Sequence, residues 1–494
     1  MPRTPTLAQR HFWLAAIILA YLAIASLYAL YTPSWQVPDE PAHYNYIRFI
    51  AEARRLPVLQ ANDYDQAYLD TIKARHFPPD LPIDPIRYES YQPPLYYLLA
   101  TPIYWLSGGA LVPLRLFSVV LGALLLLLTN AVAQIVFPNR DDLALGATAF
   151  VAFLPQHVAM MAGANNDALA EVLIAAALLL LVRYVGTTET GQGTQNGQLV
   201  ILGICIGLGL LTKGSAYILL PLAAVAIFWR WWRASPVLVQ PSWGRLARST
   251  AAVFAPALVL GLPLWMRNMA LYGLGDLLGK RWHDTVVVNQ PRTADWLAQM
   301  GLPALLRAFV QTTFRSFWGQ FGWMGVLMDE RIYLALGILS AAIGLGVIAA
   351  LPRAGRGDTR LPVALLSFSF LLTLSLYVWY NLTLVQHQGR YLFPALVPIS
   401  CAFAGGLSQA LQARRARVLT VVAVAASAIA ALSGILAGKP DKWQVVIFAA
   451  AGAALFLASL LGSRGRKIAF AAVFVALAGL DLFALFAFIV PQLG

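Results

Sequence analysis

The stretch Val37-Pro38-Asp39-Glu40-Pro41-Ala42-His43-Tyr44 sets two adjacent carboxylates just ahead of an imidazole. Asp39 with Pro41 behind it predicts a helix start, because Asp caps and Pro is tolerated in the first turn. Asp39 and His43 then share one face of that helix, four residues apart. A carboxylate so placed can act as a base or orient a hydroxyl; the plainer reading makes Asp39 only an N-cap and His43 only a surface residue. A second cluster, Gly163-Ala164-Asn165-Asn166-Asp167, is followed one turn later by Glu171. Its plainer reading is again a cap, Asn166 or Asp167 opening a helix. A third is Gln386-His387-Gln388-Gly389-Arg390-Tyr391, and Lys213 interrupts the apolar stretch 199–230. Charges bordering a membrane cavity are functional candidates, and Arg offers a bidentate fork to phosphate oxygens. His157, behind Pro155, reads as a packed residue at a helix kink. Asp481 falls near the middle of the last apolar run, where a carboxylate is costly, and the sequence names no partner for it.

These residues sit in a chain that is 59% apolar and 12% charged over 494 residues, with a mean hydropathy of +0.68. A soluble domain carries about 25% charge. The chain is therefore an all-α polytopic membrane protein. Its apolar runs lack the alternation of barrel strands, which excludes an outer-membrane β-barrel. The net charge of +13 does not indicate nucleic acid, because Lys and Arg fall in small clusters between apolar runs. Cys205 and Cys401 both lie in apolar runs, so neither a disulfide framework nor a metal site is indicated.

At roughly 20 apolar residues per crossing, spans are expected near 12–31, 113–136, 143–162, 168–185, 199–212, 215–230, 251–271, 332–351, 362–384, 391–411, 418–437, 443–462 and 468–490, about 13 in all. The first is too long and uninterrupted for a cleaved signal peptide and reads as a retained anchor. An N-terminus inside puts Arg3, Arg10, Arg140, Arg183, Arg230, Arg233, Arg245, Arg248, Arg353, Arg356, Arg360, Arg414, Arg415, Arg417, Arg464, Arg466 and Lys467 in the cytoplasm. The short loops opposite then hold Lys213, Arg390, Lys439 and Lys442, which is the asymmetry of the positive-inside rule.

Two long connections, 32–112 and 272–331, fall outside in this scheme. The first should contain short helices at 40–55 and 64–75. The piece Pro93–Ser107 carries Tyr96, Tyr97, Tyr104 and Trp105 and should lie flat on the outer leaflet. Long aromatic loops at a membrane surface are usually functional, so the chemistry is expected outside. The segment 187–198 reads as flexible cytoplasmic linker.

The acidic pair after the first span, Gln92-Pro93-Pro94-Leu95-Tyr96-Tyr97, the Asn-Asp at 166–167 and Gly389-Arg390-Tyr391-Leu392-Phe393-Pro394-Ala395-Leu396 together resemble the GT-C glycosyltransferases. The nearest kin are the protein O-mannosyltransferase and aminoarabinose-transferase types, with an uncharacterised bacterial branch of membrane proteins. The resemblance runs from residue 12 to about 400, which suggests a catalytic core over 1–411 and further C-terminal helices over 412–494. It implies transfer of a sugar from a polyprenyl-phosphate carrier to an acceptor (glycan, lipid or protein) on the outer face of the plasma membrane. Asp39 matches the family's first acidic position and Asp167 the second. The 272–331 loop matches no characterised acceptor site.

Displacing a phosphate from an anomeric carbon needs a base or orienting carboxylate for the hydroxyl and a cation facing the phosphate. One such displacement inverts the centre. Asp39, Glu40 and Asp167 are the residues expected in catalysis. His43, Lys213, Arg390, Tyr391, Gln388 and Tyr96 are expected to hold substrate. Some relatives use a divalent cation, which Asp39, Glu40 and Asp167 would share; the sequence leaves this open. Competing readings are a lipid-linked-glycan transporter or flippase, a glycan polymerase or ligase, and an inactive assembly subunit. A transporter usually shows inverted repeats and midplane polar groups, and no internal repeat is evident.

Overall fold

The computed structural model describes residues 7–186, 192–233, 242–351, 359–439 and 441–494. Arg3, Arg353, Arg356 and the linker residues 187–191 lie outside the described residues. The membrane helices of the N-terminal half are α1 (Leu7–Tyr31), α5 (Leu111–Val136), α6 (Asp141–Ala152), α7 (Pro155–Met161), α8 (Asp167–Gly186), α9 (Gln192–Leu210), α10 (Leu219–Arg233) and α11 (Trp243–Tyr272). Between α1 and α5 lie α2 (Glu40–Ala53), α3 (Gln66–Ala74) and α4 (Leu95–Leu106). Beyond α11 come α12 (Lys280–Val286), α13 (Thr293–Trp318) and a hairpin of β1 (Gln320–Phe321) and β2 (Val326–Leu327). The chain ends with α14 (Glu330–Ala350), α15 (Arg360–Asn381), α16 (Leu396–Ala410), α17 (Ala413–Leu436), α18 (Lys442–Leu460), α19 (Gly462–Ala484) and α20 (Val490–Leu493).

Among the described residues, eleven helices are long and apolar enough to cross a membrane. The expected third span is a bent pair, α6 and α7, meeting at 62°. The cause is local: Pro155 opens α7, and a residue before proline avoids the helical region, so Leu154 is extended at φ −88°, ψ 110°. The expected fifth span, α9, has an apolar part over Asn196–Leu210, shorter than a full crossing. The expectation of about 13 therefore resolves into eleven full spans, one broken pair and one short helix. Apolar side chains such as Leu19, Val259 and Val421 remain exposed along these helices, as a lipid-facing surface requires.

The first long loop carries helices α2 and α3 at the expected positions in the chain, and α4 falls within Pro93–Ser107. The second does not stay a loop. Its charges, Asp295, Arg307 and Arg315, and the break at Gly301 (φ 77°) before Pro303, where two helical arms meet, hid the segment Thr293–Trp318 from a search for apolar runs. That helix, α13, matters for the site. Gly389 packs so closely on it that an added Cβ would lie 2.4 Å from the Phe317 nitrogen. Ser316 Oγ accepts from the Gly389 amide at 2.7 Å. Only glycine allows this approach, and it anchors the residue next to Arg390.

Candidate functional site

Four chain segments that are far apart in sequence meet at one end of the bundle. The turn from α1 to α2 brings Asp39, the start of α8 brings Asp167, the α9–α10 connection brings Lys213, and the segment before α16 brings Arg390. Arg390 Nη2 donates to Asp39 Oδ2 at 2.8 Å, and Tyr88 donates its hydroxyl to Asp39 Oδ1 at 2.7 Å. Lys213 Nζ lies 2.7 Å from Asp167 Oδ1.

Asp39 stands at the N-cap position of α2, but its backbone is left-handed (φ 68°) and its side chain makes no capping hydrogen bond. The plainer reading therefore fails for this residue. A non-glycine residue with positive φ stores strain, and such strain concentrates at functional sites. Burial raises the Asp39 pKa, but the Arg390 guanidinium and the Tyr88 hydroxyl outweigh it and hold the carboxyl at about 2. At the second acidic site the capping role falls to Asn165, whose Oδ1 accepts from the Asp167 amide at 2.8 Å. The Asp167 side chain is thereby left to pair with Lys213.

The two pairs are held by a polar scaffold. Gln388 Oε1 accepts from Arg390 Nε at 2.7 Å, and the Gln388 amide nitrogen donates to Gln386 at 2.8 Å. Two of the three guanidinium nitrogens are therefore engaged, and Nη1 lies 4.0 Å from the Met160 sulfur. The Arg390 guanidinium carbon also lies 5.5 Å from the centre of the Tyr391 ring. Asn166 reaches the Thr212 carbonyl at 3.3 Å, so it ties the start of α8 to the turn that carries Lys213. His43 is buried, with Nδ1 2.8 Å from the Tyr97 hydroxyl. Burial and then the Lys213 charge push its pKa down to about 3, so it is neutral at pH 7.

Two expected residues stand elsewhere. Glu40 is fully buried and forms a bidentate pair with Arg115, at 2.8 Å from Nε and 2.7 Å from Nη2. The amides of Ala164 and Trp35 donate to the same carboxylate at 3.1 and 3.2 Å. Arg115 donates further to the carbonyls of Ala29, Thr32 and Pro33. Glu40 thus braces the ends of α1, α2 and α5, while Asp39, outside the helix with its left-handed backbone, meets Arg390. Tyr96 is likewise fully buried, with its hydroxyl 2.9 Å from Ser118 Oγ. Asp39, Glu40 and Asp167 do not fit a shared cation, since each already faces its own cationic partner. Among the described residues no three His, Cys, Asp or Glu side chains form a group able to hold a metal ion. His157 sits at the α6–α7 bend as expected, fully buried, with Nε2 3.1 Å from Glu171 Oε2. Asp481 is fully buried, and neither of its carboxylate oxygens has a hydrogen-bond partner among the described residues.

Sequence reasoning missed Glu89. It lies on the short helical turn Tyr88–Tyr91, next to the tyrosine that donates to Asp39. Burial, with the Asp39 charge adding to it, raises its pKa to about 7. Its signal in the sequence was a lone carboxylate in the aromatic run Tyr88-Glu89-Ser90-Tyr91-Gln92.

An apolar cavity of about 470 Å³ opens between α13, α14, α15 and α16, lined by Phe309, Phe314, Trp318, Ile343 and Phe403. Leu392 also lines it, two residues beyond Arg390.

The family described as "Predicted membrane protein (DUF2142)" matches residues 83–399. No curated protein sequence matches the chain. Among solved structures, ArnT from Cupriavidus metallidurans bound to undecaprenyl phosphate is 14% identical with a TM-score of 0.55; the match covers 95% of this chain and 76% of that one. The apo state of the same protein gives 0.53 at 15% identity, with 95% and 76% covered. The Archaeoglobus fulgidus oligosaccharyltransferase, in complex with zinc and sulfate, gives 0.49 at 14% identity, with 88% of this chain and 53% of that one covered. The chain shares its fold with the ArnT structures, a type its sequence resembles.

Proposed function

The chain belongs to the DUF2142 family of membrane proteins, and on that premise we propose that it is a glycosyltransferase moving a sugar from a polyprenyl-phosphate carrier to an acceptor on the outer face of the plasma membrane. The observation that carries this reading is the convergence of two carboxylate–cation pairs, Asp39 with Arg390 and Asp167 with Lys213, at one end of a GT-C bundle. Displacement of a phosphate requires such a set. Asp39 faces the incoming hydroxyl, Arg390 and Lys213 meet the charge that grows on the leaving phosphate, and Asp167 holds Lys213. Phosphate already leaves well, so no group is needed to protonate it, and one displacement inverts the anomeric centre.

The ArnT neighbour binds undecaprenyl phosphate, and this chain has a matching provision for a long apolar tail. The apolar cavity among α13, α14, α15 and α16 includes Leu392 in its lining, two residues along the chain from Arg390. A carrier phosphate at Arg390 would set its tail against those aromatic walls. Tyr391 and Gln388 lie where the sugar would pass between the pairs. The transporter reading places polar groups at midplane, whereas these groups cluster at one end of the bundle.

The test supplies purified protein with synthetic undecaprenyl-phosphate sugars and native membranes as acceptor source. Release of undecaprenyl phosphate together with transfer of labelled sugar is expected. Movement of intact donor across vesicle bilayers without release would overturn the reading.

A further inference from the structure

We infer that Glu89 is a catalytic residue of this site, the group that takes the proton of the acceptor hydroxyl. The inference rests on the transferase reading. It starts from Asp39, which both of its neighbours disqualify as a proton acceptor. Oδ1 is taken by the Tyr88 hydroxyl and Oδ2 by Arg390, at 2.7 and 2.8 Å. A carboxylate held near pKa 2 by those contacts orients a hydroxyl well but accepts its proton poorly.

Glu89 has the opposite character. It is one residue from Tyr88 on the same short turn, within the field of both pairs. Gln92 hydrogen-bonds its carboxyl, while Oε2 is buried and has no hydrogen-bond partner among the described residues. A buried oxygen without a partner is rare in a folded protein and usually has a reason. An oxygen waiting for a substrate hydroxyl is such a reason. The groups that face it are Asp39 on the α1–α2 turn, Asp167 on α8, Lys213 on the α9–α10 turn and the phenols of Tyr91, Tyr97 and Tyr380. Burial and Asp39 raise its affinity for a proton, and Lys213 opposes them. The result near 7 matches a base that works at neutral pH.

The step balances without a further reactant. The acceptor O–H bond breaks as its oxygen bonds the anomeric carbon. The bond from that carbon to the phosphate oxygen breaks, its electron pair leaves on the phosphate, and the proton goes to Glu89.

The experiment follows release of undecaprenyl phosphate from synthetic donors, with native membranes as acceptor, from pH 5 to 9. Wild-type rate should rise with an apparent pKa near 7, and Glu89→Gln should lose about a hundredfold and that limb together, with its unfolding midpoint unchanged. Wild-type rate and pH profile in Glu89→Gln would overturn the inference while leaving the transferase reading intact. No release by the wild type with any donor would instead overturn the reading itself, and the inference with it. Should Glu89→Gln not fold, Glu89→Asp carries the test: a slower rate with a displaced limb is expected, and an unchanged profile overturns it.

Discussion

Asp39 and Arg390 meet at 2.8 Å although 351 residues separate them in the chain. Their side chains are 24% and 11% exposed, so the pair is too well solvated to anchor the fold and too buried to be incidental. Its value is positional. It fixes a guanidinium and a carboxylate side by side, each held by a neighbouring side chain. Gln388 holds Arg390, Tyr88 holds Asp39, and Gly389 locks the Arg390 segment onto α13.

Asp39→Asn keeps the shape, and Asn tolerates the left-handed backbone as Asp does. Because the side chain caps nothing, folding should be nearly unaffected. Turnover should fall by about a hundredfold through lost orientation of the hydroxyl. The folded pKa of about 2 lies below the ordinary carboxylate value, so the ion pair persists above pH 4 and weakens only as pH falls through 2. The activity limb assigned to Glu89 should then survive in Asp39→Asn but move to lower pH, because the Asp39 charge that helps raise the Glu89 pKa is gone. Near-normal turnover in this variant would remove Asp39 from the mechanism.

Glu40 sits next to Asp39 and should behave in the opposite way. Its carboxylate and Arg115 are 0% and 2% exposed, and removing one partner of a buried pair costs about 3–5 kcal/mol. Glu40→Gln and Arg115→Ala should therefore lower folded yield and unfolding midpoint before any effect on chemistry is seen. Thermal unfolding in one detergent checks this. A stable Glu40→Gln that is inactive would return Glu40 to the reacting groups.

The sequence made the bundle legible because a bilayer demands long apolar runs, and a run such as 111–136 has no other use. The four charges that meet in the candidate site, Asp39, Asp167, Lys213 and Arg390, were legible for the same reason, since each is a charge at the edge of an apolar run. What burial decides was not legible. Asp39 and Glu40 are neighbours in sequence, yet one faces Arg390 and the other Arg115, and only packing distinguishes them. Glu89 escaped notice because its character comes from Asp39 and Lys213, both distant in the chain. Helix α13 was hidden because charges interrupt its apolar residues and Gly301 breaks it, and it packs on the segment before α16.

Sidedness is open to a direct check. In a background with Cys205 and Cys401 replaced, Ala61→Cys in the exposed turn before α3 should react with an impermeant thiol reagent in intact cells. Asn139→Cys, in the exposed turn between α5 and α6, should react only after permeabilisation. The reverse pattern would put the Asp39–Arg390 pair on the cytoplasmic side.

The two cations should separate kinetically. Arg390 uses a planar fork, since Nε holds Gln388 while Nη2 holds Asp39. A lysine ammonium is a point charge and cannot bridge both partners while meeting a phosphate. An arginine that merely reached ordinary lipid phosphates would be replaced by lysine with little loss. Arg390→Lys should therefore lose about a hundredfold in kcat, the scale seen when one donor to a developing oxyanion is removed. Lys213 lies 2.7 Å from Asp167 and makes a simpler charge contact. Lys213→Ala should raise KM for the donor about tenfold, with a smaller change in kcat. Because Asp167 acts through Lys213, combining Lys213→Ala with Asp167→Asn should add little to either change alone. Steady-state transfer with one synthetic undecaprenyl-phosphate sugar reads all three variants, and full activity in Arg390→Lys would leave the carrier phosphate to be held by other groups.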